Sequence, residues 1–139
     1  MSIGYLFDEA ELDFFVKLFG TGGVCARQTK DFEEREREAA KRLERKRYLS
    51  MKDGVLYVEP AVRFFFDILR EAEVRGSSFE TENGVFYEGK DGCIFLEPDS
   101  RRLAGFCLRP YPSLETWYEE EERPEKSLDD YRKELHGHG

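Results

Sequence analysis

The stretch DFEEREREAAKRLERKRYLSMKDGVLYVEPAVRFFFDIL, residues 31–69, decides the fold. It predicts a helix, a tight hairpin and a second helix. Asp31 and Glu34 are spaced as a capping box, in which each side chain accepts a hydrogen bond from the other's backbone N–H. The helix they open runs to about Arg47, with Ala39, Ala40 and Leu43 on its apolar side. Glu33, Glu34, Glu36 and Glu38 gather at its start; Lys41, Arg42, Arg45, Lys46 and Arg47 gather at its end. That polarity offsets the helix dipole and describes a solvated, self-stabilised helix, with a basic patch for nucleic acid or for an acidic protein as the functional alternatives. Glu33–Arg37 and Glu38–Arg42 add spacings of four, each worth about 0.2–0.5 kcal/mol. Asp53-Gly54 between two apolar runs is a hairpin signal, because both central residues of a type I′ turn need positive φ. Pro60 then opens a helix at the position where its missing N–H is not needed. Val62, Phe65, Phe66, Leu69 and Ala72 form its buried stripe, Ile68 broadens it and Gly76 closes it. Phe64 falls off the stripe, either beneath the following sheet or open to a partner.

Upstream, Asp8 and Glu11 form another capping box, with Phe7 and Leu12 placed as a hydrophobic staple. Leu12, Phe15, Val16 and Phe19 continue at helical spacing until Gly20. Thr21-Gly22-Gly23 is a loop; with no preceding strand and no Walker lysine it does not read as a phosphate cradle. Downstream, the period changes from 3.6 to 2. Ser78–Glu82, Val85–Glu88, Cys93–Glu97 and Leu103–Leu108 read as strands joined by turns at Asn83-Gly84, Asp91-Gly92 and Asp99-Ser100-Arg101. Short connections imply an antiparallel meander, ended by Pro110 and Pro112. Ser113 caps a short helix through Leu114, Trp117 and Tyr118, and Ser127 with Asp130 caps a last one carrying Leu128, Tyr131 and Leu135.

The expected class is therefore α+β: a helix–helix–β-hairpin–helix unit of winged-helix type, then a four-stranded antiparallel meander and short C-terminal helices. Residues 1–123 would form one domain and residues 124–139 a helical segment with a flexible tail. Phe15, Phe19, Leu43, Leu49, Phe65, Phe66, Leu69, Phe95 and Phe106 are expected in the core.

Composition narrows function. The 139 residues carry net charge −8, unevenly: residues 1–76 hold 15 acidic and 14 basic side chains, residues 77–139 hold 15 and 8. Phosphate binding needs clustered cations, so the acidic half would repel DNA. The helices before the hairpin are also separated by Gly20–Lys30, too far apart for the three- or four-residue turn of a helix-turn-helix. No apolar run nears the roughly 20 residues that span a bilayer, and the N-terminus lacks signal-peptide character, so a cytoplasmic location is expected. Cys25, Cys93 and Cys107 form no C-x-x-C pair; in a reducing compartment they read as small buried hydrophobes, with Cys93 and Cys107 facing each other across neighbouring strands. The only histidines, His136 and His138, lie in the tail, which leaves no general base to place in a cleft and no metal site or cofactor to expect. A non-enzymatic protein is the expectation.

The order Ala40, Leu43, Arg47-Tyr48-Leu49, Asp53-Gly54-Val55-Leu56, Pro60, Val62, Phe66, Leu69 resembles the N-terminal part of the ESX (type VII) secretion-specific chaperones. Ile94-Phe95-Leu96 and Leu108-Arg109-Pro110, leading to a helix at Leu114, resemble its continuation, so the likeness covers about residues 8–118. The resemblance implies a cytosolic adaptor that holds a partner protein, such as a small helical secreted one, through its sheet and adjoining loops. The chain is about half the family's length and lacks the second, pseudo-symmetric half, for which homodimerisation could substitute. A winged-helix DNA-binding regulator is the alternative. Within the meander, Leu103–Leu108 would be an edge strand, and Arg101, Arg102 and Arg109 with Trp117 and Tyr118 form the expected partner-binding patch. The opposing possibility is that Trp117 caps the core and the arginines pair locally.

Overall fold

The computed structural model describes residues 4–20, 34–98, 105–121 and 123–136, with backbone alone for Phe19, Gly20 and Glu36. The chain is α+β, as the sequence predicts. In order the elements are β1 (Tyr5–Asp8), α1 (Glu9–Gly20), α2 (Glu34–Arg45), β2 (Leu49–Lys52), β3 (Val55–Val58), α3 (Pro60–Arg75), β4 (Ser78–Glu80), β5 (Val85–Glu88), β6 (Cys93–Pro98), β7 (Gly105–Tyr111), α4 (Leu114–Glu120) and α5 (Leu128–His136). Two compact units divide within β1 and within α3: a hairpin unit, Phe7–Phe66, and a sheet unit, Met1–Leu6 with Asp67–Gly139. The boundary read at residues 123 and 124 is not where these units divide.

In the hairpin unit the box at α1 is present in both directions: Asp8 N–H donates to Glu11 Oε1 and Glu11 N–H to Asp8 Oδ1, each at 2.8 Å. The buried face of α1 is Glu11, Phe14, Phe15 and Leu18, while Val16 is 58% exposed. The expected stripe is thus turned by one residue. The cause is Glu11, which is fully buried and takes Lys46 Nζ at 2.8 Å. Arg42 reaches Asp8 at 3.1 Å. The basic end of α2 is therefore partly spent on the acidic start of α1. Phe15 and Phe66 rings meet at 4.9 Å, and Phe7 lies 6.0 Å from each.

Helix α2 stops at Arg45, two residues short of the expected end. Arg47 adopts φ 66, its N–H donates to Glu44 C=O and the Tyr48 N–H donates to Leu43 C=O, the bond pattern of a Schellman cap. The hairpin follows with Leu49 opposite Val58 and Lys52 opposite Val55. Asp53 at φ 53 and Gly54 at φ 76 give the predicted turn. Glu59 caps α3 through Oε2, accepting from the N–H groups of Ala61 and Val62 at 2.9 and 3.2 Å.

In the sheet unit five strands are ordered β1-β7-β6-β5-β4. The meander β4 to β7 is antiparallel throughout. One face carries Phe79, Phe86, Phe95 and Cys93, which form a core with Tyr111, Leu114 and Trp117 near α4 and with Tyr131 and Leu135 of α5. The segment read as a separate C-terminal piece thus contributes two core side chains. On the opposite face Ile94 and Leu108 are fully buried, so that face is not open to a partner at these positions. Gly84 has no room for a side chain, since a Cβ would lie 2.2 Å from Leu96 O. Gly76 closes α3, where Ser77 N–H donates to Ala72 C=O. Ile68 is buried and Leu69 half-buried, the reverse of their expected ranks; Phe64 and Phe106 are half-buried.

Two further expectations are corrected by register. Cys107 stands opposite Glu97, and Cys93 opposite Tyr111, so the two thiols are not cross-strand neighbours; both are buried and neither forms a disulfide. Pro110 does not end β7 but lies in it, opposite Ile94, at the expense of one ladder donor. Cys25, the box at Asp31, the turn at Asp99-Ser100-Arg101 and His138 lie outside the described residues.

Candidate protein-interaction surface

Of the expected patch around β7, Arg109, Trp117 and Tyr118 fall among the described residues. β7 lies between β1 and β6, so it is not an edge; the edges are β1 and β4. Tyr5 to Asp8, legible only as the approach to a capped helix, supplies the covering strand. Arg101 and Arg102 lie outside the described residues. Arg109 Nε donates to Glu97 Oε1 at 2.6 Å, and that hydrogen bond pushes the guanidinium pKa up from its ordinary value. Trp117 is 1% exposed, with Phe79, Phe86 and Phe95 rings at 5.4, 5.2 and 5.5 Å. It is a core residue, not the aromatic part of a surface. Tyr118 is half-buried against the ring of Tyr131 at 6.2 Å.

Exposed apolar surface lies elsewhere. Among the described residues the exposed large hydrophobics are Val16, Met51, Val55, Tyr57 and Val74, and three of these five belong to the β2–β3 hairpin. The register accounts for Val55 and Tyr57, whereas Met51, opposite Leu56, is exposed on the face it shares with Leu49. Leu49, Leu56 and Val58 share one face, and Leu49 and Leu56 are buried. Ser50, Lys52, Val55 and Tyr57 share the other, which faces solvent. Tyr57 is 53% exposed and Val55 41%. No third strand joins the hairpin among the described residues, so its outer edges retain backbone groups able to pair with an added strand.

At the hairpin base a shallow groove of about 440 Å³ is lined by Glu44, Arg47, Leu49, Tyr57, Val58 and Pro60, among others. The Arg47 guanidinium and the Tyr57 hydroxyl make no hydrogen bond among the described residues. Arg47 projects from a backbone conformation that normally selects glycine. Arginine and tyrosine are both enriched among the residues that carry binding energy at protein interfaces. The sequence held this signal in the alternation Ser50, Lys52 against Val55, Tyr57, which the type I′ turn places on one face.

The hairpin surface is flanked by charges of both signs. The whole hairpin unit holds 12 acidic and 12 basic residues, whereas the sheet unit holds 18 and 10, so the net −8 belongs to the sheet unit. No group of three or more His, Cys, Asp or Glu side chains among the described residues could hold a metal ion. His136 joins Glu88 at 3.0 Å. No helix among the described residues is long and apolar enough to cross a membrane.

No protein-family model, curated protein or solved structure matches the chain.

Proposed function

We propose that this chain is a non-enzymatic protein-binding adaptor, similar to a cytosolic secretion chaperone, that holds a partner protein. The observation that carries this reading is the solvent face of the hairpin, where Val55 and Tyr57 stand exposed beside a groove lined by Arg47. It replaces the β7 patch as the partner surface. A partner segment can use all three features at once: a strand added to the hairpin edge, an apolar residue against Tyr57, and an acceptor for Arg47.

The alternative, a winged-helix regulator, draws on the same element order, and the neutral hairpin unit does not exclude it on charge. Both are separated by one paired experiment. Wild-type protein and the double variant Val55→Lys, Tyr57→Lys serve as bait in cytoplasmic extract, and both are titrated with duplex DNA across a range of salt. The expected outcome is a protein recovered in stoichiometric yield by the wild type and lost by the variant, whose melting temperature stays unchanged because both positions face solvent. DNA binding that weakens steeply with salt, with no protein recovered, would transfer the assignment to the regulator. Light scattering of the purified chain tests the companion proposal of a homodimer.

A further inference from the structure

A second surface lies beneath α5, within the sheet unit. α5 is nine residues long. It holds its place through Tyr131 and Leu135, four apart and both buried, with Leu128 packed beside them. Tyr131 stacks on Phe79 at 4.5 Å and meets Trp117 edge-on at 5.3 Å. Under it Phe79, Phe86 and Trp117 make a continuous aromatic floor, with Phe79 and Phe86 stacked at 5.0 Å. Two of the ties from α5 to the rest of the unit run from its basic side chains to carboxylates, and one runs from its Glu134 to Lys126. Arg132 binds Glu115, and His136 Nε2 lies 3.0 Å from Glu88 Oε1.

Three observations mark α5 as a poor fit for this place. A nine-residue helix is marginal on its own, and its ion pairs are at the surface, where such pairs contribute little. It carries Asp129, Asp130 and Glu134 against Arg132 and Lys133, although the remainder of the sheet unit already holds 15 acidic and 8 basic residues. The floor also contains an unmet donor: Trp117 is 1% exposed, and its indole Nε1 has no hydrogen-bond partner. A buried donor without an acceptor is a standing penalty that another occupant could relieve.

We propose that the surface formed by α4, β4 and β5 is a helix-docking groove, filled in the free protein by α5 and taken over by a basic amphipathic helix of a partner protein. That helix carries an aromatic residue and a leucine four apart, as α5 does, with an acceptor for the Trp117 indole N–H. Its cations face Glu88 and Glu115, where His136 and Arg132 now stand. The groove is separate from the hairpin surface and does not depend on it. Because α5 is tethered, it competes at high effective concentration, so the incoming helix binds more tightly once α5 is weakened.

Trp117 is the only tryptophan of the chain, so its emission reports directly on the groove. The probe is a synthetic peptide of residues 125–139 with D129K, D130K and E134K, which contains no tryptophan. Titration into the full chain is expected to shift Trp117 emission saturably, and more weakly with the unsubstituted peptide. Leu135→Ala should tighten binding by about tenfold. Glu88→Lys with Glu115→Lys should weaken it by about tenfold, with the circular dichroism spectrum retained. Equal affinity in all three proteins, or no change in Trp117 emission, would overturn the proposal. If Leu135→Ala fails to fold, wild type against the double lysine variant decides alone. A dimer built by exchange of α5, which the peptide cannot dissociate, would also overturn it, since a second copy would then be the occupant. Partner capture by the hairpin is a separate readout, so either result can fail without the other.

Discussion

Glu11 shows how one side chain can redirect a helix. It belongs to a capping box, and it is fully buried on the Lys46 ammonium at 2.8 Å. The expected stripe of Leu12, Phe15, Val16 and Phe19 holds for Phe15 but not for exposed Val16, and it left out Glu11 because a paired carboxylate can occupy a core position. Its other oxygen, Oε2, is buried without a partner, so the pair has little to spare. Lys46→Met should therefore destabilise the hairpin unit by about 3–5 kcal/mol, the loss seen when one member of a buried pair is removed. Adding Glu11→Gln should restore part of that, measured by denaturant unfolding; no recovery would assign the loss to packing of the lysine stem. Cys93 gives a residue-scale pH prediction. Burial first, then Glu88 and Glu115, push its thiol up to about 12 from an ordinary 9.0. The folded state then holds its proton to higher pH than the unfolded chain, so its contribution to stability is full below pH 9.0 and is lost as pH rises toward about 12. The stability difference between wild type and Cys93→Ala should shrink across that window, and a flat difference would refute the assignment.

At the scale of elements, caps and turns were the most legible features. Asp8–Glu11, Asp53-Gly54, Pro60, Ser113 and Ser127 all sit where local chemistry put them, because a cap or a two-residue turn is decided within four residues. Strand membership was less legible. Tyr5–Asp8 is four residues long and finds its partner far along the chain, so nothing local distinguishes it from a helix approach. Missing it turned a central strand into an apparent edge and misplaced the expected partner patch. Trp117 and Tyr118 were read from position next to three arginines, whereas burial is settled by the ring cluster that α4 and α5 complete. The end of α2 offers a test of its own. Arg47 holds a left-handed conformation at φ 66, which disfavours a side chain by about 1 kcal/mol. Arg47→Gly should raise stability by about 0.5–1 kcal/mol while weakening partner capture. Losing the arginine without gaining stability would mean that its side chain packs rather than waits for a ligand.

On the scale of the whole molecule, charge and connectivity matter most. The sheet unit carries the net −8 while the hairpin unit is neutral. The exposed ion pairs, such as Arg132 with Glu115 and Lys126 with Glu134, contribute little each, so repulsion among the unpaired carboxylates is expected to outweigh them. Raising ionic strength from about 0.01 M to about 1 M cuts the screening length from about 30 Å to about 3 Å. The thermal midpoint should rise with sodium chloride; a fall would show that the pairs dominate. The position of β1 has a consequence in time. Its neighbour β7 begins 100 residues later in the chain, Tyr5 to Gly105. At a synthesis rate of roughly 5–20 residues per second, the first strand waits about 5–20 s for the strand it joins. During that interval the hairpin unit is complete on the ribosome while Tyr5 and Leu6 have no sheet to enter. Closure of the five-stranded sheet is then a late, long-range event in biogenesis, the kind of pairing that sets the pace of folding, and a nascent chain stalled before Gly105 should remain protease-sensitive at Tyr5 and Leu6.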